Sequence, residues 1–480
     1  MTDQITDDGL LQLTEETASQ LFEQGKEKVV WALLQLSALA RQKAAGVNAI
    51  DPATPSAMIA PYHKAPGRKH KAKPGRKAGH EGARRAAPLS IDRCEEHRLE
   101  RCPICGDPVR PCKKAKPRRR YVEDIQQTQA ETTEHLLHPS YCPRCKKNVE
   151  PVVTDALPRA TIGNRTLALT SWLHYGLGNT VSQVASVLNS LFHFPISDGG
   201  LCDMWRRLAD ALQPWYDQIA AQAKDSAVLN ADETGWRVNG KTHWLWCFTS
   251  PALTCYHIDP SRSSEVLKQF FGEMYQGTLV SDFLPAYNRV VAGHRQACLA
   301  HLLREIKKVS QEDFRAEWTA FAKHLKRLIK DALRLDAHAD YGAPDFIRKR
   351  ARLHKRLDAL IARGAQNPNA KRLVKRLARY RDALLRFLHD PAVPPDNNRA
   401  EREIRPAVIA RKNSFHNMSD RGAQTQAVLM SVYRTLKLRG HDPIETIRDA
   451  LACYIAGGKL PSLPKPAANK LSHAPPERSD

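Results

Sequence analysis

No long uncharged apolar run occurs in these 480 residues, so a membrane-spanning helix is not expected. The opening segment, MTDQITDDGLLQ, is acidic where a secretory leader would be basic, which points to a cytoplasmic protein. Acidic residues are in deficit overall: 51 Asp and Glu face 74 Lys and Arg, a net charge of +23 with a sequence pI near 9.6. Such a surplus favours a polyanionic partner, with nucleic acid the first candidate and no membrane partner expected. Eleven cysteines are present, several as Cys-x-x-Cys, and in that compartment they suggest metal ligation rather than a disulfide framework. At 53.9 kDa the chain should form two to four domains with real cores.

Three carboxylates stand out. Asp232 in VLNADETGWRV and Asp282 in GTLVSDFLPAY each end an apolar run, so each should project from a strand terminus. Glu401, in DNNRAEREIRP, lies in a helix-like stretch that opens with the capping residues Asp396 and Asn397. Converging carboxylates repel one another unless divalent cations neutralise them, and two bound ions suit in-line phosphodiester displacement.

Around these acids the chain divides by composition. Residues 1–45 hold a predicted helix over 15–45, with Phe22, Val29 and Leu36 spaced by seven and Ala32 and Leu39 on the same rule. Gly25 occupies a seam position, so both a coiled coil and an ordinary amphipathic helix fit. Residues 46–92 read as a flexible basic arm. Its stretch HKAPGRKHKAKPGRKAGHEGARR carries nine Lys or Arg and one acid, Glu81. Lys64, Arg68, Lys69, Lys71, Lys73, Arg76 and Lys77 are candidate phosphate contacts, against the alternative of a solvated linker.

Residues 93–155 carry Cys102-Pro-Ile-Cys105 and Cys142-Pro-Arg-Cys145, separated by β-like patterning. Two matched pairs on tight turns can supply the tetrahedral thiolate shell that one structural zinc ion prefers. A redox role would leave one pair superfluous; Cys94 and Cys112 are nearby alternative ligands. Residues 156–225 read as helical, and TVSQVASVLNSL, FHFPIS and DGGLCDMWRRLADAL fit either a DNA-binding helix-turn-helix or ordinary packing into the next domain.

From residue 226 the period changes to strands. AVLNA is a first strand ending at Asp232; GWRV and THWLWCF flank an Asn239-Gly240 hairpin turn; LTCYHI is a third strand, SSEVLKQFF a helix, TLVS a fourth strand, PAYNRVV a short helix and RQACLA a fifth strand. That order, over 226–301, is the order of a ribonuclease-H-like core, in which the first and fourth strands are neighbours and bring Asp232 beside Asp282. The stretch from Asp282 to Glu401 is too long for the simple fold. Residues 302–390, rich in Leu, Ala, Lys and Arg at helical spacing, read as an all-helical insertion. The closing helix falls in 391–418, a C-terminal helical segment in 419–460 and a disordered tail in 461–480. The fold expected is therefore multi-domain α/β, with the helical and zinc-binding region first.

Glu233 should face away from Asp232 and serve as a hydrogen-bond or ion-pair partner. Cys298 and His301, in CLAHLLRE, have ligand-like spacing without an obvious second pair, so packing or support of the site is expected before a separate zinc. Arg402, Arg405, Arg411 and Lys412 flank or follow Glu401 and could hold DNA; Arg405, one turn on, could instead pair with Glu401.

Taken together, KPGRKAGHEG, CPIC, CPRC, ADETGWRVNGKTHWLW, LVSDFLPAY, CLAHLLREIKK, DNNRAEREIRP, ARKNSF and YRTLKLRGHDP resemble the DDE transposases of the insertion-sequence-66 family, from about residue 64 to about 455. The resemblance implies an N-terminal DNA-binding region, a zinc module, a catalytic core with a helical insertion, and catalytic roles for Asp232, Asp282 and Glu401. The expected activity is metal-dependent strand cleavage and strand transfer by a DNA-associated transposase, with two Mg²⁺ or Mn²⁺ ions per site. Its expected partners are the inverted-repeat ends, target DNA, further copies of the chain and companion proteins of the element. A metal-dependent nuclease without strand joining and a zinc-containing DNA-binding regulator are the alternatives. The sequence departs from the family at its weak zipper-like helix and at Phe283, where Gly is more usual.

Overall fold

The computed structural model describes residues 22–23, 25, 29–30, 90–101, 103–110, 119–122, 129–337, 340–415 and 417–467. Most of the expected N-terminal helix and nearly all of the basic arm, with Lys64, Arg68, Lys69, Lys71, Lys73, Arg76 and Lys77, lie outside the described residues, as does Cys102. Two compact units are distinguished: Met1–Lys64, His135–Val184 and Ser197–Asp480 in one, Ala65–Glu134 and Ala185–Ile196 in the other.

A small antiparallel hairpin pairs β1 (Ser140–Cys142) with β2 (Lys147–Val149). Helices follow: α1 (Asn164–Ser171), α2 (Val181–Phe192) and α3 (Asp198–Lys224). Ser197 caps α3 by accepting from the Gly200 amide. The helix buries Trp205, Leu208, Leu212, Trp215 and Ile219, a stripe at helical spacing that packs on the main sheet and on a later helix.

The main sheet contains β3 (Val228–Val238), β4 (Lys241–Ser250), β5 (Leu253–Asp259), β6 (Tyr275–Ser281) and β7 (Ala292–Ala297), in the order β5-β4-β3-β6-β7. The first three strands run antiparallel, whereas β6 pairs parallel with β3 and β7 parallel with β6. Asn239 and Gly240 both adopt positive φ, 48° and 71°, as the tight hairpin between β3 and β4 demands. One expectation needs correction: AVLNA and GWRV are a single strand. Val228 to Asn230 pair with β6 and Asn230 to Val238 with β4, so the strand runs through Asp232 instead of ending there.

Helix α4 (Ser264–Phe271) connects β5 to β6. Beyond β7 come α5 (Leu299–Val309), α6 (Ala316–Ala337), α7 (Pro344–Ala362), α8 (Pro368–Arg379) and the short α9 (Arg381–Leu384). They close over their own apolar core, which includes Ile306, Trp318, Leu325, Leu357, Leu373 and Phe387 and reaches the sheet through Val280 and Ala297. The chain then returns in α10 (Asn398–Ser414), α11 (Asp420–Arg439) and α12 (Pro443–Gly457).

Helix α11 packs along β5 and α3. As an outer strand, β5 has amide groups without a strand partner, and α11 supplies acceptors: Ser431 Oγ takes the Tyr256 amide at 2.8 Å and Thr435 Oγ1 the Thr254 amide at 3.1 Å. Arg439, 4% exposed, donates to Ala252 O, Pro464 O and Gln222 Oε1. Trp215 Nε1 donates to Pro461 O at 2.6 Å, and the Ala467 amide to Arg439 O at 2.8 Å. Residues 461–467 are thus a packed strap, which corrects the expected disordered tail over that stretch; 468–480 lie outside the described residues. Among the described residues no helix is long and apolar enough to cross a membrane.

Replacing Arg439 with Met removes three hydrogen bonds from a buried junction, so Arg439→Met should lower unfolding stability by about 2–4 kcal/mol. Urea unfolding measures the loss, and faster proteolysis within 461–467 should accompany it.

Candidate active site

Asp232 follows the last residues of β3 that pair with β6, Asn230 opposite Val280, and from there β3 is bonded only to β4. Asp282 is the residue after β6. Both are half-buried where the pairing of β3 with β6 ends, Asp232 within β3 and Asp282 just past β6. Asp232 Oδ1 accepts from the Glu233 amide at 2.9 Å, and Asp282 Oδ1 from the Leu284 amide at 2.9 Å. Surrounding protein holds both carboxyls above the usual range: Asp282 is pushed up to about 7 by burial and then by the Glu233 charge, and Asp232 well up by burial, Glu233 and Asp282. Field from Glu401 adds to Asp232.

Glu233 is accounted for differently. Arg262 reaches its Oε1 at 2.6 Å and the Tyr287 hydroxyl donates to Oε2 at 2.8 Å, so the carboxylate is paired and hydrogen-bonded. Arg262 also lies 4.5 Å from the Trp244 ring centroid.

Glu401 sits in the first turn of α10, and its amide donates to Asn397 O at 3.1 Å. Asn397 is wholly buried. Its Nδ2 donates to Ala231 O at 2.8 Å, its Oδ1 accepts from Asn230 Nδ2 at 3.0 Å, and its amide donates to Cys298 Sγ at 3.1 Å. The side chain therefore fastens α10 to β3 rather than capping its own helix; Asp396 Oδ1 takes the Asn398 amide instead. The Cys298 amide in turn donates to Ser281 O at 2.9 Å, next to Asp282.

Glu401 does not pair with Arg405, which is exposed. Its Oε1 meets Arg304 in a short ion pair and His301 Nε2 at 3.6 Å, both from α5. Arg304 escaped the sequence reading, although its spacing of three from His301 puts both on one face of a helix. Asp232, Asp282 and Glu401 do not close into one ligand group within 4.8 Å; among the described residues the group that does is Cys298, His301 and Glu401.

Of the cations following Glu401, Arg402 and Lys412 are exposed, but Arg411 is not free to hold DNA: it donates to Thr234 Oγ1 at 3.2 Å and to Gly235 O. That is a correction, and its cause is the close approach of α10 to β3. Phe283 packs edge-on against Tyr380, with ring centroids 5.1 Å apart, and lies beneath Arg376, so the loop after Asp282 leans on the helical insertion. On the outer side of β7, Arg289, Arg295, Arg379, Arg381, Arg386 and His294 line much of a groove of about 1010 Å³, away from the carboxylates.

Cys142 ends β1 and Cys145 lies in the following turn, with the Cys145 amide 3.4 Å from Cys142 Sγ. That amide holds the Cys142 thiol below its usual range. Lys146, after the second cysteine of this pair, has φ 54°, and Gly106, after Cys105, has φ 82°. Cys105 belongs to the smaller unit and Cys142 and Cys145 to the larger.

A divalent cation fits the carboxylate pair on chemistry: two oxygen-donor side chains, raised by burial and by the Glu233 charge, have among the described residues no ion pair like that of Glu233. Among known proteins, the model of the transposase IS66 family matches residues 159–425, more than half of the chain. Three proteins of Sinorhizobium fredii (strain NBRC 101917 / NGR234), all described as uncharacterized, are similar. Protein y4qI is 26% identical over 278 residues, 51% of this chain and 51% of its own length. Protein y4jD is 26% identical over 295 residues, 54% and 57% respectively. Protein y4hP is 22% identical over 344 residues, 63% and 61%. The chain thus spans between about half and three fifths of these curated relatives.

Because Asp282 has a folded value near 7 and an unfolded value near 4, the folded chain binds its proton more tightly. The resulting stability is present below pH ~4 and is lost as pH rises through ~7. In EDTA at pH 8, Asp282→Asn should therefore be more stable than wild type by on the order of 2 kcal/mol, a gap that closes toward pH 4. Chemical denaturation across that range measures it. Asn397→Leu should cost about 2–3 kcal/mol, since it strands the Ala231 carbonyl and the Asn230 amide in the core.

Proposed function

The chain belongs to the IS66 family of transposases, and we propose that it binds the ends of its insertion sequence and catalyses metal-dependent strand cleavage and strand transfer. The observation that carries the reading is the pair of carboxylates without an ion-pair partner among the described residues, Asp232 within β3 just past its pairing with β6 and Asp282 directly after β6, with Glu401 held nearby by Asn397. The antiparallel β3–β5 followed by parallel β6 and β7 supports a ribonuclease-H-like core with α5 to α9 as its insertion.

In this proposal Asp232 and Asp282 hold divalent ions, Mg²⁺ or Mn²⁺, and Glu401 completes the second position. Such ions supply Lewis acidity to the attacking and leaving oxygens of an in-line displacement. Glu233, ion-paired with Arg262 and hydrogen-bonded by Tyr287, braces β3 and adds negative field without spending its oxygens on a ligand. Glu401 must turn from Arg304 and His301 toward Asp232 to take part, while Asn397 keeps its backbone fixed. Exposed Arg402, Arg405 and Lys412 on the same helix face the solvent from which a DNA backbone would approach. First water and then a freed 3′ hydroxyl attack phosphorus at one site, so no covalent protein–DNA intermediate is needed. The arm cations at 64–77 contribute backbone contacts, and Cys102, Cys105, Cys142 and Cys145 share one structural Zn²⁺. The amide directed at Cys142 Sγ and the positive φ after each pair suit thiolate turns. Assembly on DNA as a homo-oligomer, with companion proteins of the element, belongs to the same proposal.

A strand-transfer assay with element ends and a supercoiled target tests it. Asp232→Ala, Asp282→Asn and Glu401→Ala should each abolish joined product, by about a thousandfold or more, while end binding persists. Joining by all three variants would sink the mechanism, and metal-dependent cutting without joining in the wild type would make the protein a nuclease.

A further inference from the structure

Cys298, His301 and Glu401 each present a ligand atom within 4.8 Å of the other two. They come from two helix starts that Asn397 binds together: Cys298 is the residue before α5, His301 lies one turn along it, and Glu401 is in the first turn of α10. The Cys298 sulfur is fully buried, and the Asn397 amide donates to it at 3.1 Å. Burial pushes the thiol up to about 11, so a bound cation is what would hold it as thiolate.

His301 supplies an independent observation. Its Nε2 lies 3.6 Å from Glu401 Oε1, while its Nδ1 is buried without a hydrogen-bond partner among the described residues. A buried ring nitrogen left in that state is costly unless another atom completes it. Sulfur, imidazole and carboxylate together are the donor set of zinc, whereas magnesium prefers oxygen alone. Three protein ligands also leave a fourth tetrahedral position for water.

We propose that Cys298, His301 and Glu401 bind a thiophilic divalent ion, zinc being the natural candidate, and that an ion held there keeps Glu401 from serving beside Asp232 and Asp282. Binding transfers the Cys298 thiol proton to solvent and forms the metal–sulfur bond, with no redox change. The first half stands on these three residues alone; the second rests on the role proposed above for Glu401. The site would make the active centre sensitive to zinc in a way that magnesium alone does not reveal.

The full-length protein, titrated with Co²⁺, gives a thiolate-to-metal absorption band that reports the sulfur ligand. The cysteines at 102, 105, 142 and 145 contribute equally to wild type and variants, so the difference isolates Cys298. Cys298→Ser and His301→Gln, each checked for native circular dichroism, should lose one ion of uptake or bind it at least about tenfold more weakly. Superimposable titrations would overturn the site. Mn²⁺ binding, read by electron paramagnetic resonance, tests the consequence without relying on turnover. Zinc should release Mn²⁺ from wild type but not from Cys298→Ser. Equal release from both overturns the withdrawal of Glu401. If zinc-free wild type binds no Mn²⁺, the active-site reading and this consequence both fall, while the Co²⁺ result still decides the site.

Discussion

Asn397 is the constraint on which the candidate site depends. The chain leaves the sheet after β7, passes through five helices and must return with Glu401 close enough to contribute to the field at Asp232. One buried side chain fixes that return. It bonds the backbone beside Asp232, the Asn230 side chain in β3 and, through its own amide, the sulfur at the start of α5. Each polar group involved lies in the core, so a shift of α10 would strand several of them at once. The helix is thereby held in register against β3, and Arg411 reinforces the contact further along.

Electrostatics sorts the acids into different roles. Glu233 has a guanidinium and a phenol, Glu403 is paired with Arg434 at 2.5 Å, and Glu401 has Arg304 and His301. Asp232 and Asp282 each accept a backbone amide and lie in the field of Glu233, to which Asp282 adds at Asp232. Charges in that condition are expensive inside a protein unless a cation is part of the design. Similar residue types in one small volume thus separate into braces and candidate ligands by their partners alone.

Much of the sheet was legible because short-range chemistry writes it. Asn239-Gly240 between alternating residues specifies its hairpin, and the Leu- and Arg-rich periodicity after residue 302 specifies helices whatever they pack against. The error over AVLNA and GWRV arose because a strand's end was judged from its apolar run, whereas β3 continues on its bonds to β4 after β6 has parted from it. The strap at 461–467 was missed for a related reason: its Pro-rich composition resembles a free tail, and it is held through backbone carbonyls accepting from Trp215 and Arg439. Composition carries no sign of such bonds.

The sequence by itself determined the local elements, the basic character, the two Cys-x-x-Cys pairs and the identity of the acids worth watching, since each follows from side-chain type and spacing. Tertiary structure alone decided which partner each acid has. Arg304 rather than Arg405 reaches Glu401, Arg411 is committed to Gly235, and Cys298 and His301 lie against Glu401 although about a hundred residues separate them. A carboxylate's role is set by the field and hydrogen bonds around it, and those come from residues that only the folded chain makes neighbours.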